Sequence, residues 1–155
     1  MPYDIHIEGV EISEIKGAQF LTFGPYPTPW GVKGLQKMVD RYVKCLCTPK
    51  GTDISDRNYG TQLLSLFLGN IDPRSVMQLI ELAVVDAESI IREYDVDNGA
   101  NDEERLASVT LERVAPDVDG TGYILTILLK NVAGTTVRVM VPDFSRYVPT
   151  ALGTR

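Results

Sequence analysis

The clearest pattern in the chain is a run of apolar side chains that recur every three or four residues, the period of an amphipathic α-helix. An acid that can cap a helix, Asp72, and a proline suited to the first helical position, Pro73, come directly before it. The run comprises Val76, Leu79, Ile80, Ala83, Val84, Ala87, Ile90, Ile91 and Tyr94. This spacing predicts a long helix that ends near Tyr94.

Two further helices are predicted before it. Residues 32–46 carry one apolar stripe with Lys, Gln, Asp and Arg on the other faces, and Pro49 stops that helix. Asn58 is the expected N-cap of a short helix, with Gly69 as its stop. The apolar residues of this short helix are Leu63, Leu64, Leu66, Phe67 and Leu68.

The period changes to two in the last third of the chain. Ala107, Val109 and Leu111 alternate with polar residues, and residues 123–132 and 136–141 are rich in β-formers. Asp119-Gly120 and Ala133-Gly134 stand where hairpin turns are needed. A three-stranded antiparallel meander is therefore expected.

The first thirty residues have a different composition. Residues 3–7 alternate and residues 19–23 form a second candidate strand, but three prolines follow between residues 25 and 29. We predict an N-terminal arm or peripheral hairpin over 1–30, a core domain over 31–142 and a tail over 143–155. The predicted fold class is α+β, with three helices packed on a small antiparallel β meander and an extended N-terminal arm.

Composition and charge narrow the function classes. The chain has 155 residues, 44% of them hydrophobic, which suits one domain. Its net charge of −6 disfavours duplex nucleic acid and anionic membranes as partners. Residues 1–6 lack the pattern of a signal peptide, and every apolar window is shorter than the roughly 18 residues of a membrane span. Synthesis and folding in a cytosol are expected, with neither nucleic acid nor membrane as a partner.

No residue pattern selects a catalytic centre. His6, the one histidine, stands near the N-terminus, where catalytic geometry is hard to hold. Cys45 and Cys47 are two apart on a predicted helix and point about 200° apart, so they cannot readily pair or share a metal.

The acidic residues do not single out a metal or catalytic site either. Glu81 and Glu88 share a helix face without a histidine, which di-metal carboxylate sites normally include. Lys50-Gly51 lacks the glycine-rich run of a phosphate-binding loop. A glycosidase-like pair among the 21 acids stays open, because no local signal selects one. The expected catalytic, cofactor and metal sites are none.

Two short motifs carry a family resemblance. The first is Leu46-Cys47-Thr48-Pro49-Lys50-Gly51, a leucine, any residue, threonine, any residue, lysine, glycine pattern after a helix. The second is Tyr59-Gly60-Thr61-Gln62-Leu63, an aromatic, glycine, threonine, any residue, leucine pattern. With the long helix and meander that follow, residues 30–142 resemble the small baseplate wedge proteins of contractile-tailed phages. That family, once labelled lysozyme-like, also includes components of tailocin and type VI secretion baseplates.

The chain departs from the family pattern at one place. The family typically ends its long helix with a Glu-Pro-Arg triplet that ties subunits into the inner baseplate, and here the corresponding residues are Ile91-Arg92-Glu93-Tyr94-Asp95. Arg92 and Glu93 are carried over as interface candidates. The departure fits either a divergent member or a related protein at a different baseplate position.

The resemblance implies a structural role in a virion, with assembly in the host cytoplasm. The expected partners are the tail sheath protein, whose first ring it would dock, and neighbouring wedge proteins, in multiple copies in a sixfold ring. Residues 1–12 and 143–155 are the expected strand donors, and the expected acceptor edge comprises Thr136, Val137, Arg138, Val139, Met140 and Val141. The alternatives are a muramidase-like hydrolase and an unrelated soluble protein-binding adaptor.

Overall fold

The structure, a computed structural model, describes residues 7–11, 19–23, 33–63, 72–116 and 122–141, the first two ranges by their backbone alone. Two helices and five strands lie within these ranges. In chain order they are β1 (Ile7–Glu11), β2 (Gln19–Phe23), α1 (Leu35–Cys47), α2 (Pro73–Asp97), β3 (Leu106–Pro116), β4 (Tyr123–Asn131) and β5 (Thr136–Val141).

The strands form one mixed sheet in the order β1-β2-β5-β4-β3. The C-terminal three strands are antiparallel neighbours, as the meander prediction requires. The turn between β4 and β5 lies at Ala133-Gly134, where Gly134 has a φ of 92° and donates its N–H to the Asn131 carbonyl at 3.1 Å. The predicted turn at Asp119-Gly120 lies outside the described residues.

The long helix forms where its pattern predicts. Asp72 caps α2, and its side chain accepts a hydrogen bond from the Arg74 N–H at 3.3 Å. The apolar stripe on α2 is buried against the sheet and α1. Its buried members are Val76, Ile80, Ala83, Val84, Ala87 and Ile91. The helix continues one turn past the predicted end, to Asp97.

The first helix supplies the other half of the helical core. Its buried residues are Met38, Val39, Tyr42, Val43, Cys45 and Leu46. The Tyr42 hydroxyl donates to the Val84 carbonyl at 3.2 Å, which joins the two helices through a buried polar contact. Burial raises the pKa of that phenol well above its usual value, so it remains a donor. The sheet completes the core with Leu125, Ile127 and Leu129 of β4.

The prediction of three helices is wrong, since the described residues contain two. Asn58 is no helix cap: it lies in an exposed turn, where its N–H donates to Asp56 Oδ1 at 2.8 Å. Thr61 then forms a β-bridge with Pro49. Its backbone is therefore paired with the preceding loop at a position where a helix was expected. Residues 64–69, the rest of the predicted short helix up to its stop, lie outside the described residues.

The prediction of an extended N-terminal arm on a three-stranded sheet is also corrected. Strand β1 pairs antiparallel with β2, and β2 lies parallel to β5, so the sheet has five strands. Sequence alternation identified these strands but not their partner, because β5 lies more than a hundred residues further along the chain. The division at residues 30 and 142 stays a prediction.

Gly60 is expected to be the least replaceable glycine of the described loops. Its φ is 97°, and an added Cβ would lie 2.4 Å from the Thr48 carbonyl oxygen. Gly60→Ala should therefore lower the free energy of unfolding by about 3 kcal/mol, as strain and overlap add. Urea unfolding followed by circular dichroism measures this.

Gly99→Ala is the matched control. Gly99 has a φ of 62°, but no atom lies within 4 Å of an added Cβ. Strain alone should cost about 1 kcal/mol there. Equal losses for the two variants would contradict the close approach at Gly60.

Candidate functional site

The two halves of the family-like motif contact each other in the structure. The Lys50 N–H donates to the Thr61 carbonyl, and the Thr61 N–H donates to the Thr48 carbonyl, both at 2.9 Å. The Thr61 hydroxyl donates to the Leu46 carbonyl at 2.7 Å and accepts from the Leu63 N–H at 3.2 Å. We call residues 48–50 and 60–61 the loop clasp. It ties the end of α1 to the segment that follows it.

The loop that the clasp closes is solvent-exposed. Ile54 is 100% exposed at its tip. Asp53 Oδ1 accepts from both the N–H and the hydroxyl of Ser55, at 2.8 and 2.6 Å. These hydrogen bonds also lower the pKa of the Asp53 carboxyl. The loop is thus ordered by local hydrogen bonds, with an apolar side chain at its tip.

A cluster of charged residues joins α1 to the end of α2 and the start of β3. Arg41 Nη1 lies 2.9 Å from Asp95 Oδ1, and Arg41 Nη2 donates to the Glu104 carbonyl at 2.7 Å. Lys37 Nζ lies 2.8 Å from Glu104 Oε2. Asp95 Oδ2 accepts from the Leu106 N–H at 2.8 Å. We call Lys37, Arg41, Asp95 and Glu104 the charged junction.

The two carboxylates of the charged junction have opposite pKa shifts. Asp95 is fully buried, and desolvation raises its pKa although the Leu106 N–H and Arg41 oppose the shift. The hydrogen bond from Lys37 lowers the pKa of Glu104, with help from the Gly34 N–H at 3.2 Å. Asp95 Oδ1 and Arg41 Nε are buried without a hydrogen bond, so attraction within the Arg41–Asp95 pair is mainly coulombic.

The interface candidates carried over from the family lie outside this junction. Arg92 is exposed and pairs with Glu88, one helical turn back, at 3.5 Å. Glu93 is exposed as well. Both line an open groove of about 760 Å³ between the outer face of α2, the start of β3 and Val132. The structure thus places them on an accessible surface next to apolar side chains.

The predicted acceptor edge, β5, has neighbours on both sides. Six residue pairs join it to β4, but only Gln19–Val139 and Phe20–Met140 join it to β2. Val139 and Val141 are buried. Arg138 is exposed and makes two contacts to Glu112 of β3 across β4. Side chains of β5 therefore belong to the core or to the sheet surface, and the edge itself is covered by β2.

The remaining candidates for chemistry are the thiols, the acids and His6. Burial raises the pKa of the Cys45 thiol to about 11 and that of Cys47 further, which makes both poor nucleophiles at neutral pH. In the described ranges, no group of three or more His, Cys, Asp or Glu side chains is arranged to hold a metal ion. His6 lies outside the described residues. No helix in the described part is long and apolar enough to cross a membrane.

Comparison with known proteins does not assign the chain to a family. No protein-family model matches the chain, and no curated protein matches it.

Sequence reasoning missed the charged junction. Asp95 stands four residues after Ile91, on the buried stripe of α2, and an acid at a core position signals a buried partner. The partner, Arg41, lies on the predicted polar face of α1, and nothing in its spacing distinguishes it from Lys37 or Lys44. The acid could have been found from the sequence, but the pairing could not.

Arg41→Met should be strongly destabilising. It leaves the Asp95 charge buried and removes the donor to the Glu104 carbonyl. Breaking a buried pair in this way costs about 3 kcal/mol. Arg92→Met, which breaks an exposed pair, should change stability by less than about 0.5 kcal/mol. Chemical denaturation of both variants tests the difference, and similar losses would contradict the structural role of the junction.

Glu104→Gln and Asp95→Asn should have opposite pH dependences. The pKa of Glu104 is lowered by folding, so its stabilisation is present above the ordinary glutamate pKa of about 4.3 and is lost as pH falls through the folded-state pKa. The pKa of Asp95 is raised, so its contribution declines as pH rises from the ordinary aspartate pKa of about 3.9 to the folded-state value.

Unfolding free energies of the native protein and both variants across this acid range test the signs. The stability difference between native protein and Glu104→Gln should shrink on acidification. The difference for Asp95→Asn should move the other way. Parallel slopes would show that the two carboxylates do not differ as the structure implies.

Proposed function

We propose that the protein is a structural component of the baseplate of a contractile phage tail or a related injection machine. In this role it docks the first sheath ring and neighbouring wedge proteins, in a ring of several copies.

The resemblance of residues 31–72 is the starting point for this proposal. Hydrogen bonds join the loop at Thr48 and Lys50 to Thr61 at the second motif. Gly60 approaches Thr48 so closely that a side chain would overlap it. The motif residues Thr48, Gly60 and Thr61 thus fix the conformation of the backbone. This role fits a motif of a structural protein.

The sheet edge at β5 is the observation that carries the proposed mode of assembly. The β1–β2 pair covers this edge through two residue pairs, against six between β5 and β4. Main-chain hydrogen bonds of a strand edge can be made equally well by a strand from another chain. A neighbour's strand that replaces β2 therefore has little pairing to displace, and the displaced segment can bind the next copy or the sheath.

Electron microscopy of assembled particles from the source lysate, with the protein labelled by antibody, tests the location. We expect label at the tail end beside the sheath. Particles without label, with the protein free in the lysate, would contradict a baseplate role. Clearing of cell walls by the purified protein would instead favour the hydrolase alternative.

Deletion of residues 1–12 or of residues 143–155 should leave a folded monomer that no longer assembles. The first deletion removes β1 but none of the buried core residues of the helices and β3–β5. The second removes a segment outside the described residues. Circular dichroism reports the fold, and incorporation into particles reports assembly. Normal incorporation of both truncated proteins would contradict strand exchange.

A further inference from the structure

The outer face of α2 carries an apolar stripe that nothing in the fold requires. Leu82, Val85 and Val96 are 55%, 58% and 69% exposed. With Ser89 and Arg92 they follow the alternating three- and four-residue spacing of a helix-packing seam. The stripe spans residues 82–96, about 21 Å of helix. It lies opposite the face that packs on the core.

Acidic residues border this stripe on both sides. Glu81 and Glu88 lie on one side, and Asp86 and Glu93 lie on the other. Glu88 is partly neutralised by Arg92. Glu81 and Glu93 are exposed and have no ion-pair partner among the described residues. Arg92 in the seam and Arg105 in the groove offset two of these four acids, so the surface keeps an excess of negative charge.

The groove beside the stripe is shaped by the free edge of the sheet. Val85, Ser89 and Val96 line one wall, and Leu106, Ala107 and Val132 line the other. Strand β3 is the edge strand here, and its register with β4 shifts between Leu106 and Ser108 and again between Leu111 and Arg113. Bulges of this kind interrupt the pairing pattern and discourage addition of a strand. The occupant that fits the seam is a helix.

The geometry points to the outer face of α2 as the docking site for an amphipathic helix of a partner protein, with an apolar stripe flanked by lysine or arginine. The apolar seam provides the contact area, and the flanking acids select the basic partner. A second copy of this chain is the wrong occupant, because each of the two faces would carry more acids than bases. This inference is independent of the baseplate proposal.

Two synthetic helices test the proposal against the full-length protein. Both carry leucine at the seam positions, and one has lysine at the flanking positions where the other has glutamate. Binding is measured by fluorescence anisotropy, and sedimentation of the protein alone reports self-association. The variants are Val85→Lys on the seam, Glu81→Lys with Glu93→Lys on the flanks, and Ile54→Lys as control. Ile54 is fully exposed but lies outside the groove, and thermal melting verifies that each variant folds.

We expect the lysine-flanked helix to bind at least about tenfold more tightly than the glutamate-flanked one. Val85→Lys should weaken that binding by about tenfold or more, because it replaces an apolar contact of the seam by a charge. The double flank variant should reverse the preference, and Ile54→Lys should change nothing.

Four outcomes would overturn the proposal. The lysine-flanked helix fails to bind, or the two helices bind equally. Val85→Lys leaves binding unchanged. The protein associates with itself and Val85→Lys abolishes this, which would make a second copy the occupant.

Discussion

The buried pair of Arg41 and Asp95 is the constraint on which the rest of the arrangement depends. Asp95 is fully buried, and one of its oxygens faces Arg41 while the other accepts from the Leu106 N–H. One carboxylate thereby sets the position of α1, the end of α2 and the beginning of β3. Removing two charges from water is costly, so the pair adds little to stability compared with an apolar contact of the same size. Its effect is specificity: other packings of α1 on α2 would leave Asp95 buried without a partner.

The limits of the sequence analysis follow from the range of each interaction. The apolar period of α2 and its Asp72 cap are local, and so is the turn at Gly134, which explains why these elements were predictable. The start of the third predicted helix was placed at Asn58 as its cap, but Thr61 is hydrogen-bonded to Thr48 and the residues before it form a loop. The place of β2 beside β5, and the pairing of Arg41 with Asp95, join residues far apart in the chain. No local pattern contains that information.

The two surfaces proposed as binding sites lie on opposite sides of β4. The strand order places β5, with its two-pair contact to β2, on one side and β3, with the adjoining groove, on the other. A strand that replaced β2 beside β5 would leave the outer face of α2 accessible, and a helix bound to that face would leave the β2–β5 pairing unchanged. The two proposed contacts are therefore of different kinds and do not compete for the same surface.

The edge strand β3 and the inner strand β5 differ in the regularity of their pairing, and each suits the partner proposed for it. At β3, two register shifts disturb the pairing pattern, and Glu112 is engaged with Arg138 across the sheet. At β5, the register with β4 is continuous through all six pairs from Thr136 to Val141, so the next strand meets a regular edge. Regular edges accept strands, and bulged edges discourage them. The acids Glu81 and Glu93 border the helical seam, so the negative charge lies at the surface proposed to bind a helix. Strand pairing needs no charge complement, whereas selection among helices does.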